Sequence, residues 1–365
     1  MFHVKLLGYS PDADAMIEGI LTTCAAAVPS LRGMKGAPAA VSAGFTPLAA
    51  TCQGAAVLTK LDDSTRLFAG TGISLFEAQS PNWTTVSRAS SYTAGATVRW
   101  RFAQFGNVSL ATNENDTIQS STSSVFADIA GAPKAGVIEV VGQFVMAANT
   151  TDGTYGQSQD RWWCSGIGDQ TIWTPAVVTQ CATGRLTSAP GKIVGMKRFG
   201  AFAIAYKQRA MFIGVYVGPP LVWDWAQIPG TVGALSHEAI ASIGTPENPK
   251  HIFMGYDDFY VYDGAKPMSI GTNRLKETVF NQLLQSRNYA CCAMHDAKNN
   301  RVYFFYPATD QVMPDKCVVY NYRTDQWGVD DRTIQFALEY ATPGITYNAV
   351  GDSYTTYADF PNNSY

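Results

Sequence analysis

The stretch Tyr289–Thr333 reads YACCAMHDAKNNRVYFFYPATDQVMPDKCVVYNYRTDQWGVDDRT. Short runs of β-branched and aromatic residues alternate in it with polar turns. Two of these runs are Arg301–Tyr306 and Lys316–Tyr322, and a further run begins at Gln326 and contains Trp327. Such residues favour strands, and the turns between them predict antiparallel pairing. A four-stranded meander of about this length, with a Trp late in it, is the unit of a β-propeller.

The rest of the chain reads as imperfect copies of this unit. The copies start near residues 53, 97, 136, 192, 237 and 289, and this spacing of about 40 to 55 residues is typical of propeller blades rather than of helical repeats. Trp83, Trp173, Trp225 and Trp327 recur late in four units, and we expect their rings to pack between neighbouring blades. The sequence therefore predicts an all-β protein, with a β-propeller of about six four-stranded blades over residues 53–365. An array of β-sandwiches is the alternative.

Residues 1–52 differ from the repeats because they are rich in Ala, Gly and Pro and poor in aromatic residues. Pro and Gly at short intervals interrupt any regular element. We interpret this segment as an extended N-terminal arm that packs along the propeller. Within it, Phe2–Leu7 could supply a strand that closes the ring. Residues 11–14 are turn chemistry and could also cap a short helical piece, Ala15–Ile20.

Two later segments also interrupt the repeat pattern. Residues 271–285 form the best helix candidate, since Leu275, Val279 and Leu283 fall on one helical face and Thr272 or Asn273 could cap it. Residues 334–365 resemble the start of another repeat that does not finish. They either close the ring together with the N-terminal strand or form an accessory segment.

The composition excludes several classes of protein. Charged residues make up 15% of the chain, against about a quarter in typical domains, and the net charge is −3, so nothing in the balance demands a nucleic acid or a membrane partner. No run approaches the roughly 20 apolar residues of a membrane span. The cysteines form no C-x-x-C pair, so we expect packing thiols in a reducing cytoplasm rather than disulfides or a zinc site. The seven are Cys24, Cys52, Cys164, Cys181, Cys291, Cys292 and Cys317.

Histidine chemistry is sparse in this sequence. None of the four histidines stands at metal-ligand spacing from another His or Cys, and neither a G-x-S-x-G nor a Walker motif occurs. We expect His295, beside Asp296 and a turn, to be a strand end rather than a catalytic base. The other three are His3, His237 and His251.

Carboxylates occur in pairs or clusters at five places. Asp62-Asp63, Asp257-Asp258 and Asp330-Asp331 could in principle hydrolyse glycosides, but they stand at turns, where Asp is common. Asn113–Asp116 and Asp152–Asp160 offer oxygen ligands for calcium without the EF-hand spacing. We therefore predict that the protein is not an enzyme and that it has no catalytic, cofactor-binding or metal-binding residues.

A run in the third unit carries a resemblance to known proteins. Residues 162–173 read WWCSGIGDQTIW, which departs from the Asp-box of sialidase-type propellers because Gly168 precedes Asp169 and the third position of that motif lacks its Asp. The run resembles instead one in tail proteins of short-tailed bacteriophages, in which an aromatic strand, an IGD turn and a Trp end one blade. Residues Gly8–Asp14 of the arm and units one and six resemble the same proteins. The chain is therefore similar, over nearly its whole length, to the phage tail nozzle or packed-DNA-stabilisation family.

This resemblance implies a structural virion protein of the tail, assembled in the host cytoplasm. Several copies, six by family analogy, would form a homo-oligomeric ring below the portal and the head-to-tail adaptor, in contact with other tail proteins such as fibres. Genomic DNA would pass through the ring without sequence-specific binding. We expect the basic clusters Arg99–Arg101, Lys197-Arg198 and Lys207–Arg209 to be solvated turns and strand ends rather than a DNA grip. The alternative is a glycan-binding or glycan-cleaving propeller of a phage tail.

Overall fold

Six antiparallel sheets, each built on four strands that follow one another in the sequence, stand around a central axis. The computed structural model describes residues 5–308 and 310–340. The architecture is a β-propeller of six blades, as predicted, and the sandwich alternative is wrong. Within each blade the strands pair in chain order, from the innermost first strand to the outer fourth strand.

The strands are numbered in chain order. The arm contains β1 (Gly8–Tyr9), β2 (Ile20–Leu21), β3 (Ala27–Ser30) and β4 (Gly33–Gly36). Blades one to three contain β5 (Gly54–Thr59), β6 (Thr65–Gly70), β7 (Leu75–Gln79) and β8 (Asn82–Thr85); β9 (Arg101–Phe105), β10 (Val108–Thr112), β11 (Gln119–Ser121) and β12 (Ala127–Asp128); and β13 (Lys134–Val141), β14 (Phe144–Asp152), β15 (Gly156–Cys164) and β16 (Ala182–Arg185). Blades four to six contain β17 (Ile193–Phe199), β18 (Phe202–Lys207), β19 (Met211–Gly218) and β20 (Val222–Ile228); β21 (Ile240–Thr245), β22 (Asn248–Met254), β23 (Phe259–Tyr262) and β24 (Met268–Ser269); and β25 (Cys292–Asp296), β26 (Arg301–Tyr306), β27 (Lys316–Asn321) and β28 (Gln326–Asp330). A helix, α1 (Lys276–Gln282), and a 3₁₀ segment, Gln285–Ala290, connect blades five and six.

Both faces of a blade are buried, because successive side chains of a strand point to opposite sides and each blade has two neighbours. In β26, Val302 and Phe304 pack towards blade five, whereas Tyr303 and Phe305 pack on the other side. Similar apolar clusters fill all six junctions of the ring. Complete burial of one such side chain contributes roughly 1.5–3 kcal/mol, so the junctions hold the ring together.

Indole rings occupy several of these junctions. Trp327 is 1% exposed and lies in the cluster between blades five and six. Trp173 and Trp225 also lie in junction clusters, as predicted. Trp83 does not: it is partly exposed, and its Nε1 donates a hydrogen bond to the carbonyl of Thr46 in the arm. The prediction for this ring is wrong because the outer strand of blade one is covered by the arm rather than by a second blade.

The arm adds strands to the outer edge of blade six. β3 pairs antiparallel with β28 through Ala27 and Val329, and β4 pairs with β3. Gly328 permits this close approach, because a Cβ there would lie 2.4 Å from the carbonyl oxygen of Ala27. The predicted strand Phe2–Leu7 is not seen over residues 5–7, and its first residues lie outside the described part of the chain. The strand that the arm supplies is therefore a later one than predicted.

Helix α1 lies within the stretch predicted to be helical. Leu275, Val279 and Leu283 are buried together in the core between blades five and six, which confirms the predicted apolar face. The predicted capping by Thr272 or Asn273 is wrong, because the residue that precedes the helix is Leu275, which has no side-chain cap hydrogen bond.

The cap of α1 comes from the arm. One Asp12 carboxylate oxygen accepts a hydrogen bond from the backbone N–H of Glu277 at 2.6 Å, and the other accepts from that of Thr278 at 3.1 Å. Two of the four unpaired N–H groups at the start of the helix are thereby satisfied. Asp12 therefore caps a distant helix, and the predicted local helix Ala15–Ile20 is wrong, because most of those residues form turns.

The junction between blade six and blade one, here called the seam, is closed by both ends of the described chain. The face of blade six that points towards blade one packs there against Ala37 of the arm and Ala337 of the C-terminal segment. The side-chain oxygen of Gln335 accepts a hydrogen bond from the backbone N–H of Cys52 at 2.7 Å. Residues up to 340 thus contribute to closing the ring, and the remainder of the predicted closing segment, 341–365, lies outside the described residues.

Candidate functional site

The axial channel carries the most unusual charged groups of the described chain. We call the end of the ring where each first strand begins the entry face, and the opposite end, where first and second strands join, the hairpin face. Arg101 begins β9 of blade two, and Glu238 precedes β21 of blade five, three blades away around the ring. Their side chains meet across the axis in a bidentate ion pair, with Nε–Oε1 at 2.6 Å and Nη2–Oε2 at 3.1 Å.

The ion pair is buried, and its electrostatics follow from that. The side chains of Arg101 and Glu238 are 13% and 6% exposed. Burial alone would raise the pKa of the Glu238 carboxyl, but the charge and hydrogen bonds of Arg101 outweigh it, so that pKa stays below its ordinary value. The Glu238 carboxyl is therefore ionised at neutral pH. A bridge of this kind fixes two opposite blades relative to each other.

His237 and Lys197 complete the charged lining. Burial, with the nearby charges of Lys197 and Arg101, lowers the pKa of His237 well below its ordinary value, so the imidazole is neutral. Its Nδ1 accepts a hydrogen bond from the backbone N–H of Met196 at 3.3 Å. The neutral His237 imidazole therefore has a structural role as a hydrogen-bond acceptor, and it does not act as a general acid at neutral pH.

The ion pair divides the channel into two chambers. The entry chamber, at the entry face, has a volume of about 100 Å³, and the inner chamber has about 170 Å³. Arg101 lines both, and Phe336 and Ala337 of the C-terminal segment line the inner chamber. The axis of one propeller is therefore partitioned into chambers that are far too small to admit a DNA duplex.

A second feature is an apolar groove on the hairpin face, at the junction of blades three and four. It has a volume of about 550 Å³. The exposed rings of Phe202 and Tyr216 form its rim, at 38% and 42% exposure, and Val217 and Leu221 extend the apolar surface beyond it. No local pattern in the sequence indicates this groove, because its walls come from turns of three different blades. Apart from the two rim rings, its apolar lining includes Val141, Phe144, Ile167, Val215 and Trp223.

The arm presents a third feature, a segment that we call the arm loop, residues 38–44. All seven residues are exposed, and Val41 is 90% exposed. The loop leads from β4 on blade six towards β5 of blade one, so it lies at the seam. The seam and the junction of blades three and four are opposite each other in a ring of six. The arm loop and the apolar groove are thus on opposite sides of one propeller.

The structure does not bring the three aspartate pairs of the sequence together at one site. Asp62 accepts hydrogen bonds from the backbone and hydroxyl of Ser64 in a turn. Asp258 is bound by Ser269 and by its neighbour's backbone, and Asp330 is paired with Arg332. In the described part of the chain, no group of three or more His, Cys, Asp or Glu residues is placed to hold a metal ion.

The two calcium candidates use their carboxylates within the protein. Asp116 accepts from Arg88 at 2.7 Å, from the backbone of Thr93 at 2.8 Å and from Asn113 at 2.8 Å. Asp160 is paired with Arg185. These acids tie loops to blades, and they do not converge on one point.

The basic clusters are not uniformly solvated, and the prediction is wrong for the buried Arg101 and Lys207. Arg99, Arg101 and Lys197 line the axial chambers. Lys207 is fully buried and donates hydrogen bonds to two backbone carbonyls, both at 2.6 Å. The alternation in Arg99-Trp100-Arg101 could have indicated that both arginines lie together, because a Trp on the buried side of an extended segment places its two neighbours on the other side.

The cysteines behave as packing thiols. All seven are free, and five of them are buried. Burial raises the pKa of the Cys164 and Cys181 thiols to about 12, so these thiols are protonated and unreactive at neutral pH. His295 is hydrogen-bonded to the Tyr322 hydroxyl at 3.1 Å beside a strand end, which is where we expected it.

Comparisons with known proteins support the fold and do not assign a function. No protein-family model and no curated protein matches this sequence. Among solved structures, the chain is similar to a fungal alcohol oxidase of the AA5 family in complex with copper (TM-score 0.50, 9% identity, 78% of this chain and 66% of that one). It is also similar to YCF48 bound to D1 peptide (0.44, 13%, 85% and 88%) and to a mitotic checkpoint complex (0.46, 7%, 80% and 82%). No helix in the described residues is long and apolar enough to cross a membrane.

Proposed function

We propose that this chain is a structural subunit of a bacteriophage tail, one copy of a homo-oligomeric nozzle ring that continues the DNA channel below the portal and adaptor. The sequence resemblance suggests the class. The observation that carries the proposal is the placement of two exposed apolar surfaces, the arm loop and the apolar groove, on opposite sides of one propeller.

Two complementary surfaces on opposite sides favour a head-to-tail contact between copies. Such heterologous contacts generate a closed ring when the rotation between copies closes. In the ring, the arm loop of each copy lies in the groove of the next, with Val41 against the rings of Phe202 and Tyr216. Burial of these side chains would remove from water the apolar area that both surfaces expose in the single chain.

The same arrangement locates the DNA path. Because the axis of each propeller is blocked by the Arg101–Glu238 pair, DNA in this proposal passes between the copies, through the hole of the ring. Each phosphate that a Lys or Arg neutralises adds affinity through counterion release, and a chain of net charge −3 limits such binding. The subunits thus form the wall of the DNA channel and bind the genome only weakly. Its neighbours would be the adaptor above and tail proteins such as fibres.

The test is the assembly state of the full chain and of two charge variants. We expect light scattering after gel filtration, and electron microscopy, to show rings, with six copies if the family analogy holds. Val41→Asp and Tyr216→Asp should each raise the dissociation constant of the contact about tenfold or more, because a carboxylate would be desolvated in an apolar groove.

The matched control is Leu61→Asp, which changes an apolar residue that is 78% exposed and lies on neither surface. It should assemble as the unmodified chain does. Chains that stay monomeric at all concentrations, or rings that tolerate both Val41→Asp and Tyr216→Asp, would contradict the proposal.

A glycan-binding tail protein is the second candidate, favoured by one observation. The apolar groove presents the exposed rings of Phe202 and Tyr216 beside the polar side chains of Arg198 and Glu247, and a sugar offers both apolar faces and hydroxyls to such a surface. This function predicts that a monomer binds oligosaccharides and that Tyr216→Ala abolishes the binding. Screening the full chain and this variant against a glycan array separates the two candidates.

A further inference from the structure

The entry chamber is lined by segments from five blades, although its volume is only about 100 Å³. A cavity needs about 10–15 Å³ of such space to hold one water, so this one holds several waters or one small ion of several heavy atoms. The polar residues that matter for its chemistry are Arg99, Arg101, Glu114, Asn149, Lys192 and Asn288.

The charges around the chamber do not cancel. Arg101 is neutralised by Glu238, and the Glu114 carboxylate accepts a hydrogen bond from the Asn149 amide at 3.0 Å. Arg99 donates a hydrogen bond from its Nε to the carbonyl of Tyr289 at 3.3 Å, and its guanidinium lies 5.4 Å from the centre of the Tyr289 ring. Within the described residues, the terminal nitrogens of Arg99 and the ammonium of Lys192 have no hydrogen-bond acceptor. Three cations and one carboxylate, Glu114, line the chamber. Because Glu238 pairs with Arg101 from outside the chamber, an excess of one positive charge remains.

The backbone around the chamber is shaped to aim side chains into it. Asn149 has a φ of 53° and occupies a bulge in the pairing of β14 with β15, and Glu114 has a φ of 70°. Gly136 gives the Asn149 amide its room, because a Cβ there would lie 2.5 Å from Nδ2. Left-handed backbone of this kind costs about 1–3 kcal/mol at a residue other than glycine, and bulges re-aim side chains. These two residues thus place the Asn149 amide and the Glu114 carboxylate in the lining of the chamber.

We propose that the entry chamber binds one small oxyanion of the size of phosphate or sulfate. The Arg99 guanidinium and the Lys192 ammonium donate charge-assisted hydrogen bonds to it. The Asn149 and Asn288 side chains line the same cavity, and Arg101 forms its floor. Bound there, the anion neutralises the excess charge and links the segments that precede blades two, four and six. Such a site is independent of the assembly proposed above, since it lies within a single propeller.

The site is tested by calorimetric titration of the full chain with inorganic phosphate and with sulfate. Each titration is compared with one that uses chloride at equal ionic strength. The chloride arm removes general screening by salt. We expect one anion to bind per chain. Arg99→Gln and Lys192→Gln should each raise the dissociation constant about tenfold or more, the size expected for loss of one hydrogen bond to a charged group.

Arg32→Gln and Lys35→Gln are the matched controls, because both side chains are exposed on the arm, and they should bind the anion as the unmodified chain does. Lys192 is itself exposed, so Lys192→Gln keeps the fold and decides the question even if Arg99→Gln does not fold. Anion affinity that is unchanged in both chamber variants, or no binding of phosphate or sulfate beyond the chloride control, would overturn the site.

Discussion

Replacing Arg101 by Met leaves the Glu238 carboxylate without its partner at a position where it is 6% exposed. Breaking a buried ion pair from one side costs about 3–5 kcal/mol, because the remaining charge has lost its compensation, whereas an exposed pair contributes about 0–1 kcal/mol. The variant also loses the hydrogen bond from Arg101 to the carbonyl of Gly136. We therefore expect the free energy of unfolding at pH 7 to fall by about 3–5 kcal/mol, measured by urea denaturation.

The double variant Arg101→Met/Glu238→Leu separates the pair from the packing around it. Because no charge is then left buried, most of the lost stability should return. The pKa of Glu238 is lower in the folded chain than its ordinary value of 4.5, so the pair stabilises the fold above about pH 4.5 and loses that effect as the pH falls through the lowered pKa. The stability gap between the unmodified chain and Arg101→Met should narrow over that range. A single variant that costs less than about 1 kcal/mol, or a double variant no more stable than the single one, would refute this account.

Two further predictions concern the arm and a buried histidine. Asp12→Ala removes the cap of α1, so it should lower the free energy of unfolding by about 1–2 kcal/mol and speed proteolysis of the arm. The control is Asp14→Ala, whose carboxylate accepts a hydrogen bond from the nearby backbone N–H of Met16 at 2.9 Å, and it should change neither. Equal effects of the two variants would contradict the capping role. Burial, together with the charge of Lys197, lowers the pKa of His251 to about 4. The unfolded chain therefore takes up a proton at a higher pH than the folded chain. The free energy of unfolding should decline by on the order of 3 kcal/mol as the pH falls from 6.5 to about 4. His251→Gln should flatten this decline in denaturation curves measured across the pH range, and an unchanged pH dependence in that variant would show that other groups cause it.

The blades could be predicted from sequence because their determinants are local. The alternation in Arg301–Tyr306 and the turn residues on either side of it specify a strand and its neighbour within a few positions. The apolar face of α1 could be found for the same reason. All these patterns act over fewer than about ten residues, which is the range that a single sequence displays.

The arm and the channel could not be predicted, because their determinants are distant in sequence. Asp12 looks like a local cap, and nothing near it indicates that its partners are the backbone groups of Glu277 and Thr278. Arg101 and Glu238 likewise show no mutual pattern, since they become neighbours only when the ring places blades two and five opposite each other. Long-range pairing of this kind depends on ring geometry, which no short window of residues contains.

The pairing of β3 with β28 has a consequence for synthesis. Ala27 leaves the ribosome about 300 residues before Val329, its partner, exists. At about 5–20 residues per second, translation takes roughly 15–60 s to cover that distance. During this time blades one to five can form in order, each from its own contiguous strands, while the early segment waits unpaired. The sheet of blade six therefore takes its outermost strands from a segment synthesised long before it, and that sheet is complete only after β28 has been made.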